Sequence, residues 1–153
     1  MTEPTLYLED FQLGQVLTFE TLSMSADDIK TFARRWDPQR LHLDTDFATA
    51  LHGSLIASGF QTLLYVFEPL VENVFAKMSN VGGLGFDNLR WTKPVRPDEV
   101  LTVRMEITGA TPSRSKPDRG VLSYTITARN AEDTLVFNVD ASTMIHRKPE
   151  ARP

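Results

Sequence analysis

The chain has 153 residues, of which 41% are hydrophobic and 24% charged, so it is long enough for one domain with a hydrophobic core and short for two. This ordinary composition excludes disordered and fibrous classes. The formal net charge of −4 excludes nucleic-acid binding through bulk charge, and the absence of cysteine excludes disulfides, thiolate zinc sites and cysteine nucleophiles.

The N-terminal segment, MTEPTLYLEDF, carries acidic residues where a signal peptide requires basic ones. No apolar run in the sequence approaches the roughly 20 residues of a membrane-spanning helix. We therefore expect a cytoplasmic protein that binds neither membrane nor nucleic acid. Residues 1–10 show little pattern, and we expect them to form a flexible arm.

The first regular elements are a strand and a helix. Residues 16–22 have the β-branched and aromatic content that is typical of a strand. Apolar residues then recur at helical spacing from residue 26 onwards, and Ser25 stands where its side chain can cap this helix, with Asp28 in the first turn. Pro38 disfavours helical geometry in the preceding residue, so the helix is predicted to end at Asp37.

A loop over residues 37–46 and a short helix over residues 44–51 lead to the most apolar part of the chain. Between residues 59 and 75 the apolar side chains are spread around most of the helix circumference. Pro69 predicts a kink or a local end within this segment. A helix of this kind must be buried on several sides.

The second half of the chain has the pattern of an antiparallel sheet. Strands are predicted over residues 84–91, 100–108, 121–129 and 135–145, after a break at Gly82 and Gly83. The polar segment 112–120 is a hairpin loop, and the tail 147–153 is expected to be flexible. We predict a single α+β domain over residues 1–153, in which about five antiparallel strands wrap around a long central helix.

Polar residues cluster just before this central helix. Asp37 and His42 are five positions apart, and Gly59 begins the helix. A carboxylate and an imidazole beside a backbone N–H predict an acid/base pair with a site for an oxyanion. Each residue also has a structural alternative: a loop carboxylate for Asp37, a loop histidine for His42, and a close-packing glycine for Gly59. Ser58 is interpreted most simply as the cap of the central helix, with a hydroxyl near the substrate as its alternative.

Two further acidic residues, Asp44 and Asp46, lie in the segment between Asp37 and Gly59 and could be considered as metal ligands. Asp44 and Asp46 lack further ligands at a recognised spacing, and His52 is not convergent with them, so no metal site is predicted. Six basic residues in the second half of the chain are candidates for contact with phosphate groups, with a solvated surface position as their alternative: Arg90, Lys93, Arg96, Arg114, Lys116 and Arg119.

These residues resemble the MaoC-like hot-dog family, whose members include the R-specific enoyl-CoA hydratases. The resemblance covers nearly the whole chain and rests on Phe32-Ala33, Asp37-Pro-Gln-Arg-Leu-His42-Leu-Asp44, Phe47-Ala48 and Ile56-Ala57-Ser58-Gly59, with a weaker match over residues 86–101. The chain departs from the family pattern in three places: Arg40 stands in place of a proline, Ser58 in place of a common histidine, and Pro97 in place of a glycine.

The resemblance implies a hot-dog fold and an enzyme of fatty acid metabolism. Asp37 and His42 would be the catalytic pair of an acyl-thioester hydratase or dehydratase that adds water to a 2-enoyl-CoA, or removes it from the 3-hydroxyacyl-CoA, and the Gly59 amide would be its oxyanion donor. The expected substrate contacts are Ser58, Ile56, Arg40, Arg90 and Lys93. No cofactor is expected beyond the coenzyme A of the substrate, and the expected assembly is a homodimer or a larger oligomer of dimers.

Two alternative functions remain compatible with the sequence. A hot-dog thioesterase would hydrolyse the thioester instead of hydrating the acyl chain. A non-catalytic subunit would bind acyl-CoA without turnover.

Overall fold

The computed structural model describes residues 3–151 and has an α+β architecture, as predicted. The strands are β1 (Val16–Glu20), β2 (Asn80–Trp91), β3 (Thr102–Pro112), β4 (Arg119–Arg129) and β5 (Leu135–His146). The helices are α1 (Ala26–Trp36), α2 (Arg40–Leu43), α3 (Thr45–His52) and α4 (Gly59–Asn73). Within the described residues, no helix is long and apolar enough to cross a membrane.

The five strands form one antiparallel sheet in the order β1-β3-β4-β5-β2. Side chains of β3, β4 and β5 alternate between buried and more exposed positions, as expected for a sheet with one face on the core. Val66 and Leu70 of α4 are fully buried in the same cluster as the inward-facing residues of these strands. The sheet therefore covers one side of the central helix. Phe60, Leu64 and Val71 of the helix are 47% to 60% exposed, so in the single chain it is not buried on several sides as predicted.

Helix α4 continues through Pro69 to Asn73, so Pro69 does not end it. A proline inside a helix removes one backbone hydrogen bond and costs about 3 kcal/mol. The neighbouring Val66 and Leu70 are fully buried, and burying such side chains contributes about 1.5 to 3 kcal/mol each. Packing against the sheet thus outweighs the local preference of the proline.

Strand β2 begins at Asn80, four residues before the predicted start. The pair Gly82 and Gly83, which predicted a break, lies inside the strand. The register against β5 shifts between Asn80 and Gly82 and again between Gly83 and Gly85, where Gly85 has a φ of 144°. Glycine permits such irregularities without ending the strand.

The described part of the N-terminal arm is packed against the domain, which corrects the prediction of a flexible arm over residues 1–10. Leu8 is buried, and the backbone of Leu6 is hydrogen-bonded to the segment that follows α4. Glu9 forms an ion pair with Arg147 at 2.8 Å, so the arm also holds the start of the tail 147–153, which was expected to be flexible too. Residues 1–2 and 152–153, the outermost parts of the arm and the tail, lie outside the described residues.

The N-terminus of α1 has the predicted cap. The hydroxyl oxygen of Ser25 accepts a hydrogen bond from the Asp28 amide at 3.0 Å, and the Asp28 carboxylate accepts one from the Ser25 amide at 2.9 Å. This reciprocal arrangement satisfies two backbone donors at the helix start.

Replacement of Ser25 with alanine should therefore lower the free energy of unfolding by about 1 kcal/mol, because the first turn of α1 loses its acceptor. Urea denaturation followed by circular dichroism measures this change. Ser23→Ala, at an exposed position outside the cap, is the matched control and should leave the stability unchanged. Equal stability of the Ser25 and Ser23 variants would contradict the assignment.

Candidate functional site

Three chain segments bring the predicted polar residues together in one cleft. Helix α1 ends just before Asp37, the four-residue helix α2 carries the buried His42, and α4 begins at Gly59. The cleft has a volume of about 390 Å³. Its lining comprises Asp37, Gln39, His42, Ile56, Ala57, Gly59, Phe60, Thr62, Trp91, Thr92, Lys93, Pro94 and Val95.

The Asp37 carboxylate is held by three neighbours. Oδ2 accepts a hydrogen bond from the Ser58 hydroxyl at 2.7 Å and lies 3.3 Å from Nε2 of His42. Oδ1 accepts a hydrogen bond from the side-chain amide of Gln39 at 2.6 Å. Partial burial raises the pKa of Asp37, but the hydrogen bonds from Gln39 and Ser58 and the nearby imidazole outweigh it, so that the pKa lies below its ordinary value of 3.8. Asp37 is therefore ionised at neutral pH.

The tautomer of His42 follows from its other contact. Nδ1 lies 2.8 Å from the carbonyl oxygen of Ile56, and a carbonyl oxygen can only accept a hydrogen bond. Nδ1 therefore carries a proton, and Nε2 is the nitrogen that faces Asp37. Since His42 is only 4% exposed and its Nδ1 is hydrogen-bonded to Ile56, Nε2 is the ring nitrogen that can contact a group in the cleft.

Ser58 does not cap the central helix, so that interpretation is wrong. It occupies the position before α4, but its hydroxyl makes no capping hydrogen bond and instead donates to Asp37. The amide groups of the first helical turn, which begins at Gly59, thus have no side-chain acceptor at this position. These groups form the positive end of the helix dipole, beside the cleft.

Gly59 lies in close contact with Trp91, the last residue of β2. The indole Nε1 donates a hydrogen bond to the Gly59 carbonyl oxygen at 2.7 Å. A Cβ atom at position 59 would lie only 2.7 Å from the indole ring, so a glycine is required here for packing. Gly59 therefore has the close-packing role that was its structural alternative. It also lines the cleft, so the two interpretations are compatible.

Among the predicted substrate contacts, Ile56 and Lys93 line the cleft, whereas Ser58, Arg40 and Arg90 do not, and Ser58 is fully buried. The Arg40 side chain is 69% exposed and pairs with Asp44 at 2.8 Å, one helical turn away. Its guanidinium also lies over the ring of Phe47. The Arg90 guanidinium bonds to the carbonyl of the preceding residue.

Asp44 and Asp46, the two other acidic residues between Asp37 and Gly59, belong to the start of helix α3 and not to the cleft. Asp44 accepts a hydrogen bond from the Phe47 amide at 3.0 Å and caps α3, and Asp46 lies exposed in the first turn of that helix. Over residues 3–151, the side chains of histidine, aspartate and glutamate form no group of three that could hold a metal ion.

Sequence reasoning missed Gln39 and Trp91. Gln39 is two residues from Asp37, and this proximity was a usable signal. Trp91 is separated from Gly59 by 32 positions, and no spacing rule connects a strand end with the start of a distant helix.

Comparisons with known proteins agree with this architecture. The family model described as "MaoC like domain" matches residues 10–130. The "Uncharacterized protein YdeM" of Bacillus subtilis is 33% identical over 141 residues, which are 92% of this chain and 99% of that protein. The MaoC-like dehydratase from Rhodospirillum rubrum is 32% identical with a TM-score of 0.82, and the match covers 95% of this chain and 99% of that one.

A more distant structure has the same fold. R-hydratase PhaJ1 from Pseudomonas aeruginosa is 22% identical with a TM-score of 0.74, and the match covers 93% of this chain and 86% of that one. At this identity the likeness concerns the fold alone. The predicted hot-dog fold is confirmed.

The Ser58 hydroxyl should be one cause of the lowered pKa of Asp37. In Ser58→Ala the carboxylate loses a hydrogen-bond donor, so the pKa of Asp37 should rise toward its ordinary value, as measured by NMR titration of the Asp37 carboxyl carbon. Loss of a hydrogen bond to a charged group should also lower the free energy of unfolding at pH 7 by about 2 kcal/mol. A lowered native pKa stabilises the protein above the unfolded pKa, and this contribution disappears as pH falls through the native pKa. The stability difference between wild type and variant should therefore shrink in acid.

The control for this experiment is Ser25→Ala, which removes a true helix cap. It should lower stability without moving the pKa of Asp37. An unchanged Asp37 pKa in the Ser58 variant would show that the hydroxyl does not stabilise the carboxylate.

Proposed function

The chain belongs to the MaoC-like domain family, and on that basis we propose that it is a hydratase that adds water to a 2-enoyl-CoA to give a 3-hydroxyacyl-CoA, or catalyses the reverse dehydration. One observation carries this proposal: Asp37, His42 and the uncapped N-terminus of α4 meet in a single cleft. The relative named MaoC-like dehydratase, which is 32% identical, supports the same reaction class.

The N-terminus of α4 is suited to bind the thioester carbonyl. In the proposed complex the carbonyl oxygen accepts a hydrogen bond from the Gly59 amide, which lies at the positive end of the helix dipole. When water adds to the β-carbon, the electron pair of the C=C bond moves toward the carbonyl and gives an enolate. Its developing negative charge on the oxygen is stabilised by the amide and the dipole.

Asp37 and His42 would hold the attacking water between them. The Asp37 carboxylate, which stays ionised because of its lowered pKa, accepts one hydrogen bond from the water. Nε2 of His42 takes the other proton as the water oxygen bonds to the β-carbon, and Asp37 at 3.3 Å stabilises the imidazolium that forms. The imidazolium then returns the proton to the α-carbon, so no proton is gained or lost overall.

Lys93 is the proposed partner of the coenzyme A phosphates. It is the lysine that lines the cleft, whereas Arg40 and Arg90 lie outside the lining. The proposal includes no cofactor other than the coenzyme A of the substrate. A role in fatty acid metabolism and a cytoplasmic location are parts of the same proposal.

The proposed assembly is a homodimer. An apolar surface on α4 and β2 consists of side chains that are 41% to 60% exposed: Phe60, Leu64, Val71, Val81, Leu84 and Phe86. The two elements are in contact at Phe67 and Phe86, whose rings are 5.4 Å apart. Within the described residues, β2 pairs only with β5, so its other edge offers unpaired backbone groups next to this surface. A contiguous exposed apolar surface of this kind is typical of a protein interface.

The hydratase proposal predicts that Asp37→Asn loses at least about 10²-fold in kcat/KM, because the neutral amide is a weaker acceptor for the water and lacks the negative charge that stabilises the imidazolium. The measurement is the loss of conjugated thioester absorbance with 2-enoyl-CoAs of four to twelve acyl carbons. Asp46→Asn, an exposed acid outside the cleft, is the matched control and should retain wild-type activity.

The same assay separates the alternatives. Release of free thiol from saturated acyl-CoA would indicate a thioesterase, since a hydratase leaves the thioester intact. Thermal stabilisation by acyl-CoA without turnover would indicate a binding subunit. Equal rates for wild type and Asp37→Asn would contradict the proposed role of the carboxylate.

The dimer proposal predicts that Leu84→Glu dissociates the protein, because the charge would be buried without a partner in the interface. Size-exclusion chromatography with light scattering should give twice the chain mass for wild type and the chain mass for the variant. Leu22→Glu is the matched control: Leu22 is 67% exposed and follows β1, at the opposite edge of the sheet. A monomeric wild type, or equal dissociation by both substitutions, would contradict the proposal.

A further inference from the structure

Trp91 stands at a rigid position in the wall of the cleft. It ends β2 and pairs with Phe137 of β5. The next residue, Thr92, is fixed twice: its amide donates to the Val136 carbonyl at 2.9 Å and its hydroxyl to the Leu135 carbonyl at 2.6 Å. The backbone on both sides of the indole is thus anchored to the neighbouring strand.

The indole itself is held by the start of α4. Its N–H donates to the Gly59 carbonyl at 2.7 Å, its ring covers the α-carbon of Gly59, and its edge meets the ring of Phe60 at a centroid distance of 6.1 Å. Swinging the indole away would break the hydrogen bond and lose the aromatic contact. The indole is 42% exposed, but these contacts oppose its displacement by a larger group, so it can discriminate between substrates by shape.

This wall lies next to the place where the thioester would react. The amide nitrogen of Gly59 is one bond from the α-carbon that the indole covers. If the thioester carbonyl is bound by that amide, the acyl carbon next to the carbonyl lies close to the indole. The indole and the ring of Phe60 both line the cleft, so they border the space that a branch at this place would enter.

We propose that Trp91 determines specificity by excluding acyl groups that carry a substituent on the carbon next to the thioester carbonyl. The inference rests on the proposed function for the position of the thioester, with its carbonyl at the Gly59 amide. Trp91 takes no part in proton transfer; it shapes the space around the reacting group.

The test compares two substrates that differ by one methyl group, crotonyl-CoA and 2-methylcrotonyl-CoA. The ratio of their kcat/KM values should fall by about 10-fold or more in Trp91→Ala relative to wild type, because one methyl group in a fitted pocket is worth about that much. The two substrates also differ in their intrinsic chemical reactivity, but this difference is the same for wild type and variant and therefore cancels when the two ratios are compared. Trp91→Phe, which keeps a smaller ring and loses the N–H, should give an intermediate ratio.

Trp36→Ala is the matched control. Trp36 is 63% exposed on α1 and is not part of the cleft lining, so its removal should leave the ratio unchanged. Thermal melting and light scattering establish that each variant is folded and has the wild-type oligomeric state. If Trp91→Ala does not fold, Trp91→Phe and Trp91→Leu decide the question.

An unchanged ratio in the Trp91 variants would overturn the inference and leave the proposed function intact. If wild type hydrates none of the 2-enoyl-CoAs of four to twelve acyl carbons, the proposed function fails, and calorimetric titration with butanoyl-CoA and 2-methylbutanoyl-CoA tests Trp91 separately. A gain in relative affinity for the branched ligand in Trp91→Ala would support the inference. Equal relative affinities in wild type and variant, or no binding of either ligand, would overturn it.

Discussion

The hydrogen bond from the Ser58 hydroxyl to the Asp37 carboxylate joins the end of α1 to the start of α4, and the arrangement of the cleft depends on it. The same hydroxyl has an alternative use as a helix cap, which is worth about 1 kcal/mol. A hydrogen bond to a charged group is worth about 1.5 to 3 kcal/mol, so the carboxylate is the stronger partner. This choice fixes Asp37 and at the same time leaves the first turn of α4 free to bind an acceptor.

The position of that helix end is set by the core of the domain. Val66 and Leu70 are fully buried against the sheet, and they keep α4 straight enough to continue through Pro69. Because α4 cannot shift along the sheet without exposing these side chains, its N-terminus stays beside the end of β2. Hydrophobic packing far from the cleft therefore determines where Gly59 and Trp91 meet.

The sequence was sufficient to predict the elements whose signals are local. The Ser25 cap, the apolar stripe of α1 and the alternation in β4 and β5 each lie within a dozen residues, and all three are present. The predicted group of Asp37, His42 and Gly59 also meets, although its catalytic role stays a prediction. Arg40 pairs with Asp44 at i,i+4 spacing, a local signal that the sequence contains but that sequence reasoning missed, and its contact with substrate stays a prediction. The contact between Trp91 and Gly59 links two distant segments, and no local rule predicts it.

This contact changes how the glycine at position 59 should be interpreted. A glycine that begins a buried helix can be taken as a sign of an oxyanion site, yet here the indole of Trp91 excludes any side chain by itself. The identity of the residue therefore does not favour catalysis over packing. The stronger indication is the hydroxyl of Ser58, which donates to Asp37 and leaves the first turn of α4 without a side-chain cap, at the point where Gly59 lines the cleft. The chemical argument for the cleft thus depends on Ser58 and Asp37 more than on Gly59.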